Sequence, residues 1–197
     1  MAEQINPENK ELAKYITTIV GVDRSVQRYW DEDNKNFVDL FKCTDPTNSS
    51  VIFHGTIGVS DHPNEIAMKS GENKNVPVEL LLAGYKKFDQ LPNVLSTAAF
   101  YITKDKWKCQ HGSVFMRMLE MYYPDLKMKH LMFTAPYLWE DKLKPLALES
   151  KTVHWLLGIP ISDKELEYSK SNGSAALENV FEKNKVDIFD IDRGCVI

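Results

Sequence analysis

The stretch TVHWLLGIPISDKELEYSKSNG, residues 152–173, carries the clearest structural signals in the chain. Its first ten residues are almost continuously apolar, which is typical of a central strand covered on both faces of a sheet. A capping box follows, with Ser162 as the N-cap of a helix and Glu165 at the third helical position. Ile161 and Leu166 occupy the two positions of a hydrophobic staple. A buried strand is therefore predicted to lead directly into a capped helix.

The residues after this helix predict a second helix and an acidic end. Gly173 is expected to stop the first helix, and Ser174 is expected to cap the next one. The apolar residues of this second helix are Leu177, Val180 and Phe181. The chain closes with VDIFDIDRGCVI, residues 186–197, which is rich in aspartate.

The preceding part of the chain alternates between strand and helix signals. Asn6 and Pro7 predict the start of a helix that Gly21 ends. A second helix is predicted from Phe88, with Asp89 or Gln90 as its cap, because apolar residues recur at spacings of three and four. The predicted strands cover residues 25–30, 36–43, 51–59, 76–82, 128–136 and 152–161. Residues 51–59 alternate as a half-buried strand would, whereas residues 112–124 fit either a helix or a strand.

These elements predict one α+β domain spanning residues 1–197. The 43% hydrophobic and 26% charged content is ordinary for a soluble globular protein. No apolar run approaches the roughly 20 residues that a membrane helix needs, and the N-terminus resembles no signal peptide. We therefore expect a cytosolic protein that does not bind a membrane. Cys43, Cys109 and Cys195 lie far apart without a C-x-x-C pair, so neither disulfides nor a zinc site are expected.

The negative charge is concentrated near the C-terminus. Residues 163–192 contain eight acidic residues and four lysines, whereas the rest of the chain has 20 basic and 20 acidic residues. Such an end repels nucleic acid and favours a basic partner. A solvated helical surface would have the same composition, so both interpretations stay open at this point.

The stretch TIGVSDH, residues 56–62, contains the three residue types of a serine-hydrolase triad. A working triad needs a serine–imidazole hydrogen bond and a carboxylate on the other imidazole nitrogen, and three consecutive side chains splay apart. The stretch also lacks the G-x-S-x-G elbow. We interpret Ser60, Asp61 and His62 as a turn at the end of a strand.

Other candidate sites are equally weak. Cys109 and His111 lie two residues apart, but nothing identifies an oxyanion hole or an orienting group. The five histidines have no metal-binding spacing, and the aspartates of the C-terminal segment lack the glycine and glutamate of a calcium loop. No Walker loop, dinucleotide fingerprint or RNA-binding stripe is present. The residues predict no catalytic site, no metal and no cofactor.

Residues 153–193 resemble the closing signature of the suppressor-of-fused family. That signature joins an apolar strand ending in proline, a Glu-rich capped helix, a glycine, a Leu-bearing helix and an Asp-rich segment with an arginine. Here these parts are Trp155 to Pro160, Ser162 to Tyr168, Gly173, Leu177 to Phe181, and Asp187 to Arg193. Thr56, Gly58 and Ser60 resemble an earlier strand of the family, and VPVELLLAG resembles the Glu-bearing strand after it. His111 stands where many members have proline.

Residues 122–141 are similar to a short Gram-positive subset of this family. The resemblance implies a mixed sheet packed by helices, and it implies binding without catalysis. Members of that subset resemble the antitoxin, or immunity, partners of LXG-type polymorphic toxins. The resemblance therefore implies, as the partner, the C-terminal nuclease domain of a cognate toxin. A nuclease also suits the acidic C-terminal end of this chain, since a surface that binds phosphate is basic.

We predict two candidate binding surfaces for this partner. The first is Trp139, Glu140 and Asp141, an aromatic anchor beside two acids, although Trp139 fits a core position equally well. The second is the acidic segment of Asp187, Asp190 and Asp192. Two alternatives remain: a non-catalytic peptide-binding adaptor that uses an exposed strand edge, and a hydrolase that uses Ser60 or Cys109.

Overall fold

A computed structural model describes residues 6–68, 70–139 and 142–197. The α-helices in these ranges are α1 (Pro7–Val20), α2 (Leu91–Thr103), α3 (Asp163–Asn172) and α4 (Ser174–Lys183). Two single-turn 3-10 helices cover Val59–Asp61 and Tyr137–Trp139. Among the described residues, no helix is long and apolar enough to cross a membrane.

Most of the strands form one mixed sheet. They are β1 (Val22–Trp30), β2 (Phe37–Thr44), β3 (Val51–Ile57), β4 (Glu65–Ala67), β5 (Asn73–Asn75), β6 (Val78–Tyr85), β7 (Val114–Phe115), β8 (Met128–Thr134), β9 (Leu146–Ala147) and β10 (Thr152–Ser162). The order in the main sheet is β1-β2-β3-β6-β10-β8-β7, with β9 against the start of β10 and with β4 and β5 in a separate hairpin. The β6–β10 pair is parallel and the other pairs are antiparallel. The α+β prediction is confirmed.

Helices cover the two faces of this sheet and create two hydrophobic cores. The residues of α1, α3 and α4 in the first core are Leu12, Ile16, Val20, Leu166, Leu177 and Phe181. The residues of α2 in the second core are Leu91, Val94, Leu95, Ala98, Ala99 and Ile102. Strands β2, β6 and β10 send side chains from their two faces into the two cores. Strand β10 lies between β6 and β8, and helices cover both faces of the sheet, so residues 155–162 of β10 are all buried, as its apolar sequence predicts.

The helix boundaries follow the predicted caps, with two exceptions. The side chain of Asn6 accepts the Glu8 amide at 3.0 Å, and the capping box of Ser162 and Glu165 is complete. The cap predicted at Ser174 is wrong, because Gly173 is the N-cap and Ser174 is the first helical residue of α4. Gln90 holds the cap position of α2, but its side chain makes no capping hydrogen bond.

The prediction of a half-buried strand over 51–59 is also wrong. The strand ends at Ile57, and Ile52, His54 and Thr56 on its second face are only 6%, 8% and 0% exposed. Alternation correctly predicted that Val51, Phe53 and Ile57 share a face, but Val59, beyond the end of the strand, packs in the second core. The second face is covered by α2, which is distant in sequence, so no local pattern indicates its burial. Gly58 then takes a left-handed conformation (φ 98°), which glycine adopts without steric cost, and the chain enters the 3-10 turn.

Candidate partner-binding surface

The carboxylate of Glu79 accepts hydrogen bonds from the stretch TIGVSDH, residues 56–62, which contains the three residue types of a triad. Glu79 lies on β6 and is fully buried. Its Oε2 accepts the Thr56 hydroxyl at 2.5 Å and the Val59 amide at 3.3 Å. Its Oε1 accepts the Gly58 amide at 2.9 Å, and the amide and hydroxyl of Ser60 at 3.0 and 2.7 Å. Burial raises the pKa of Glu79, while these hydrogen bonds lower it.

The three side chains that resemble a triad, those of Ser60, Asp61 and His62, therefore have different surroundings. The Ser60 hydroxyl is directed to Glu79, whereas Asp61 accepts a hydrogen bond from Asn9 of α1 at 2.8 Å and pairs with Lys151. The imidazole of His62 has a lowered pKa because it is partly buried. The side chains do not form a Ser–His–Asp relay, so the interpretation as a turn is confirmed.

Cys109 and His111 also separate. The Cys109 thiol is fully buried, and burial raises its pKa, which opposes formation of the nucleophilic thiolate. Its backbone amide donates to Asn64 Oδ1 at 2.9 Å. His111 lies 2.9 Å from the Glu178 carboxylate of α4. This arrangement joins a loop to a helix. The described residues contain no group of three or more His, Cys, Asp or Glu side chains that could hold a metal ion.

A second buried carboxylate fastens the C-terminal segment to α3. Glu165 is fully buried, and its two oxygens accept hydrogen bonds from Arg193 at 2.7 and 2.9 Å. The same guanidinium donates to the Pro160 carbonyl oxygen at 2.9 Å. The guanidinium carbon also lies 5.1 Å from the centre of the Phe181 ring. Residues 186–193, which contain the predicted acidic surface, are thereby held against α3 and β10.

Trp139 is part of the first core. Its side chain is 8% exposed and packs edge-to-face on Phe53, with ring centres 5.1 Å apart. Glu140 and Asp141, the other two residues of this predicted surface, lie outside the described residues. Trp139 nevertheless lines a surface groove of about 440 Å³, here called the Trp139 groove, together with Phe53 and Phe189.

The predicted acidic segment reaches the same groove. Phe189 lies between Asp187 and Asp190 in sequence and contacts Phe53 at a ring-centre distance of 6.3 Å. Asp187 accepts the Tyr85 hydroxyl at 2.6 Å, and Asp190 pairs with Lys87 at 3.2 Å. Asp192 is exposed. The structure thus brings Trp139 and the acidic segment together through Phe53, a contact that no local sequence pattern contains.

Strand β1 is an exposed edge that the sequence analysis did not single out. Directly after β1, the Asp31 amide donates to the carbonyl oxygen of Asn36, the residue before β2, so Asp31 and Asn36 form a hydrogen-bonded pair of the β1–β2 ladder. Because antiparallel pairs alternate, Val26, Arg28 and Trp30 direct their backbone N–H and C=O groups away from β2. Val26 and Trp30 are 56% and 48% exposed. The sequence SVQRYW, residues 25–30, did not indicate whether this strand is exposed or buried, because edge strands and inner strands contain the same residue types.

These features define a mixed α+β fold in which distant segments of the chain meet at one surface. The sequence model of the family described as suppressor of fused protein (SUFU) matches residues 34–194. The chain belongs to the suppressor-of-fused family.

Individual relatives agree with this assignment. The chain is 33% identical over 193 residues to the immunity protein YqcF of Bacillus subtilis (strain 168), covering 98% of this chain and 99% of the relative. The crystal structure of a SUFU homologue from Neisseria gonorrhoeae matches with a TM-score of 0.67 at 13% identity, over 95% of this chain and 93% of that one. Drosophila Suppressor of Fused matches with a TM-score of 0.53 at 13% identity, over 94% of this chain and 45% of that one. The two structural matches establish a shared fold.

Proposed function

We propose that this protein is an immunity protein that binds and neutralises a cognate polymorphic toxin by direct contact. The observation that carries the proposal is the near-full-length similarity, at 33% identity, to a protein named as an immunity protein. The further details of the proposal are a toxin of the LXG type, a nuclease as its C-terminal domain, and a cytoplasmic site of action.

The chemistry of the surface supports a binding role over a catalytic one. Ser60 is fixed by Glu79, and the Cys109 thiol is buried with a raised pKa, so neither candidate nucleophile is activated. The proposed contact region is the Trp139 groove with Asp187, Asp190 and Asp192 at its side, and Glu140 and Asp141 belong to the proposal as the neighbours of Trp139. Acidic groups beside an aromatic groove suit a nuclease, because a surface that binds phosphate is basic.

Co-expression with the C-terminal domain of the toxin encoded beside this gene tests the proposal. Cells that express the toxin domain alone should stop growing, and cells that also express this chain should grow. The two proteins should elute together on gel filtration. Arrested growth together with separate elution would refute the proposal.

A second candidate function is a non-catalytic peptide-binding adaptor in intracellular regulation. The exposed edge of β1 favours it, since an extended segment can pair with the outward backbone groups of Val26 and Trp30. The gene neighbourhood separates the two functions: an adjacent toxin gene supports immunity, and the lack of one supports the adaptor.

A further inference from the structure

A second groove lies beside the Trp139 groove, along α4. It has a volume of about 460 Å³ and is here called the α4 groove. Ile159, Phe181 and Ile188 are the buried apolar residues at its base, whereas Ala175 is exposed and Tyr137 is 45% exposed. The groove therefore offers apolar surface at its base and an exposed aromatic ring at its edge.

Acidic residues border this apolar surface. Glu178 and Glu182 line the groove one helical turn apart on α4, and exposed Asp187 follows immediately after the lining residue Val186. Lys185 is the basic residue among the lining residues. Glu178 lies 2.9 Å from His111, but like charges at i and i+4 are unfavourable in a helix, so helix stability does not account for Glu182 beside it. A basic partner would relieve their repulsion.

The Glu178 carboxylate of this groove also acts on Tyr137. Partial burial raises the pKa of Tyr137 to about 12, and the Glu178 carboxylate contributes to the increase. A positive charge placed here would oppose that contribution.

The two grooves share one ridge. Tyr137 and Ile188 line the α4 groove, while their sequence neighbours Leu138 and Phe189 line the Trp139 groove. A partner centred on the ridge would contact both grooves. A specific interface covers about 800 Å² on each partner, and the two grooves together offer a larger contact area than either one alone.

We infer that the α4 groove receives a lysine- or arginine-flanked apolar segment of the toxin's C-terminal domain. This inference rests on the proposed function and gives it a specific surface. The apolar side chains of the segment contact Tyr137 and Phe181, and its cations face Glu178 and Glu182. Phe181 and Ile188 supply the desolvated centre, and the carboxylates form the charged rim.

Two variants test the groove while leaving the core intact. Glu182→Lys reverses a rim charge and removes an unfavourable i,i+4 pair, so it should not destabilise the protein. Ala175→Arg adds bulk and positive charge at an exposed position of the groove. Asp125→Lys is the matched control for Glu182→Lys, because it makes the same charge change at an exposed loop position on the α2 side.

The measurement is the dissociation constant of each variant for the purified toxin C-terminal domain, by calorimetry, after thermal melts show that each variant is folded. We expect Glu182→Lys and Ala175→Arg each to weaken binding at least about tenfold, and Asp125→Lys to change it less than about twofold. The loss for Glu182→Lys should shrink at high salt.

The outcomes separate the groove from the function. If both groove variants bind like the wild type, the α4 groove is not the contact surface, while the proposed immunity function stands. If the wild type does not bind the toxin domain, the function fails and the groove inference fails with it. If gel filtration shows a wild-type dimer that Ala175→Arg dissociates, a second copy of the chain occupies the groove and the inference is overturned.

Discussion

At the scale of single residues, Glu79 explains why Thr56, Gly58 and Ser60 occur together. Two hydroxyls and three backbone amides converge on its carboxylate. The Thr56 oxygen in turn accepts the Leu80 amide at 2.9 Å, which directs its own proton to Glu79. A catalytic serine would need a free hydroxyl, so this motif is structural.

Glu79→Gln should therefore destabilise the fold. The amide nitrogen of glutamine would face donors that now find an acceptor, which leaves buried polar groups unpaired and costs about 2–4 kcal/mol. Urea unfolding at pH 7 measures the loss. Glu72→Gln, at an exposed position, is the control and should change the free energy of unfolding by less than about 0.5 kcal/mol. Equal stability of the two variants would refute the proposed role of Glu79.

The buried imidazole of His54 should make the fold less stable in acid. Burial, with a smaller contribution from Lys42, lowers the pKa of this imidazole from 6.5 to about 4. The folded state therefore binds a proton less readily than the unfolded state, and stability falls as the pH drops from 6.5 toward 4. The expected contribution is a loss of about 2 kcal/mol between pH 7 and pH 5.

The comparison with His54→Gln isolates this contribution. Urea unfolding of both proteins at pH 7 and pH 5 should show a steeper loss in the wild type, because glutamine does not titrate. Identical slopes for the two proteins would mean that His54 is not the source of the acid sensitivity.

At the scale of elements, the C-terminal segment is stabilised by one bidentate ion pair. Arg193→Met would leave the Glu165 carboxylate buried without its cation, which costs about 3–5 kcal/mol. Glu165→Met combined with Arg193→Met should be less destabilised than Arg193→Met alone, because the double variant leaves no buried charge. Denaturant unfolding of the four proteins of this cycle measures the coupling. Additive losses would contradict the proposed pairing.

Local signals predicted the helices well and the sheet incompletely. The cap at Asn6 and the capping box at Ser162 depend only on residues within one helical turn, so a short stretch of sequence is enough to predict them. The order of the strands depends on contacts between distant segments, such as the parallel pairing of β6 with β10. The same limit applies to the stretch 112–124, where a two-residue strand is followed by turns.

The candidate site shows the same division. The acidic segment was visible as an aspartate pattern, and Trp139 as an aromatic residue. Trp139 and Phe189 of the acidic segment both contact Phe53 of β3, although the three residues are far apart in the sequence. This contact depends on the fold, so the sequence alone could not predict it. The Glu79 contacts are non-local too, since β6 begins about 20 residues after the turn that it holds.

At the scale of the whole molecule, charge is unequal on the two sides of the sheet. Helices α3 and α4 lie on one side and contain five of the eight acidic residues of 163–192, and the acidic segment follows α4, with Ile188 in the first core and Ile191 in the second. Helix α2 lies on the other side and is followed by the exposed lysines 104, 106 and 108. A basic toxin should therefore approach from the α4 side, and its association rate should fall with added salt.

The most direct test of the central claim is a calorimetric titration of this protein with the purified C-terminal domain of the toxin encoded beside its gene. The proposed function predicts saturable binding with a dissociation constant below about 1 μM, which corresponds to about −8 kcal/mol. The absence of binding heat at several temperatures, with both proteins folded, would contradict the claim that the protein neutralises this toxin by direct contact.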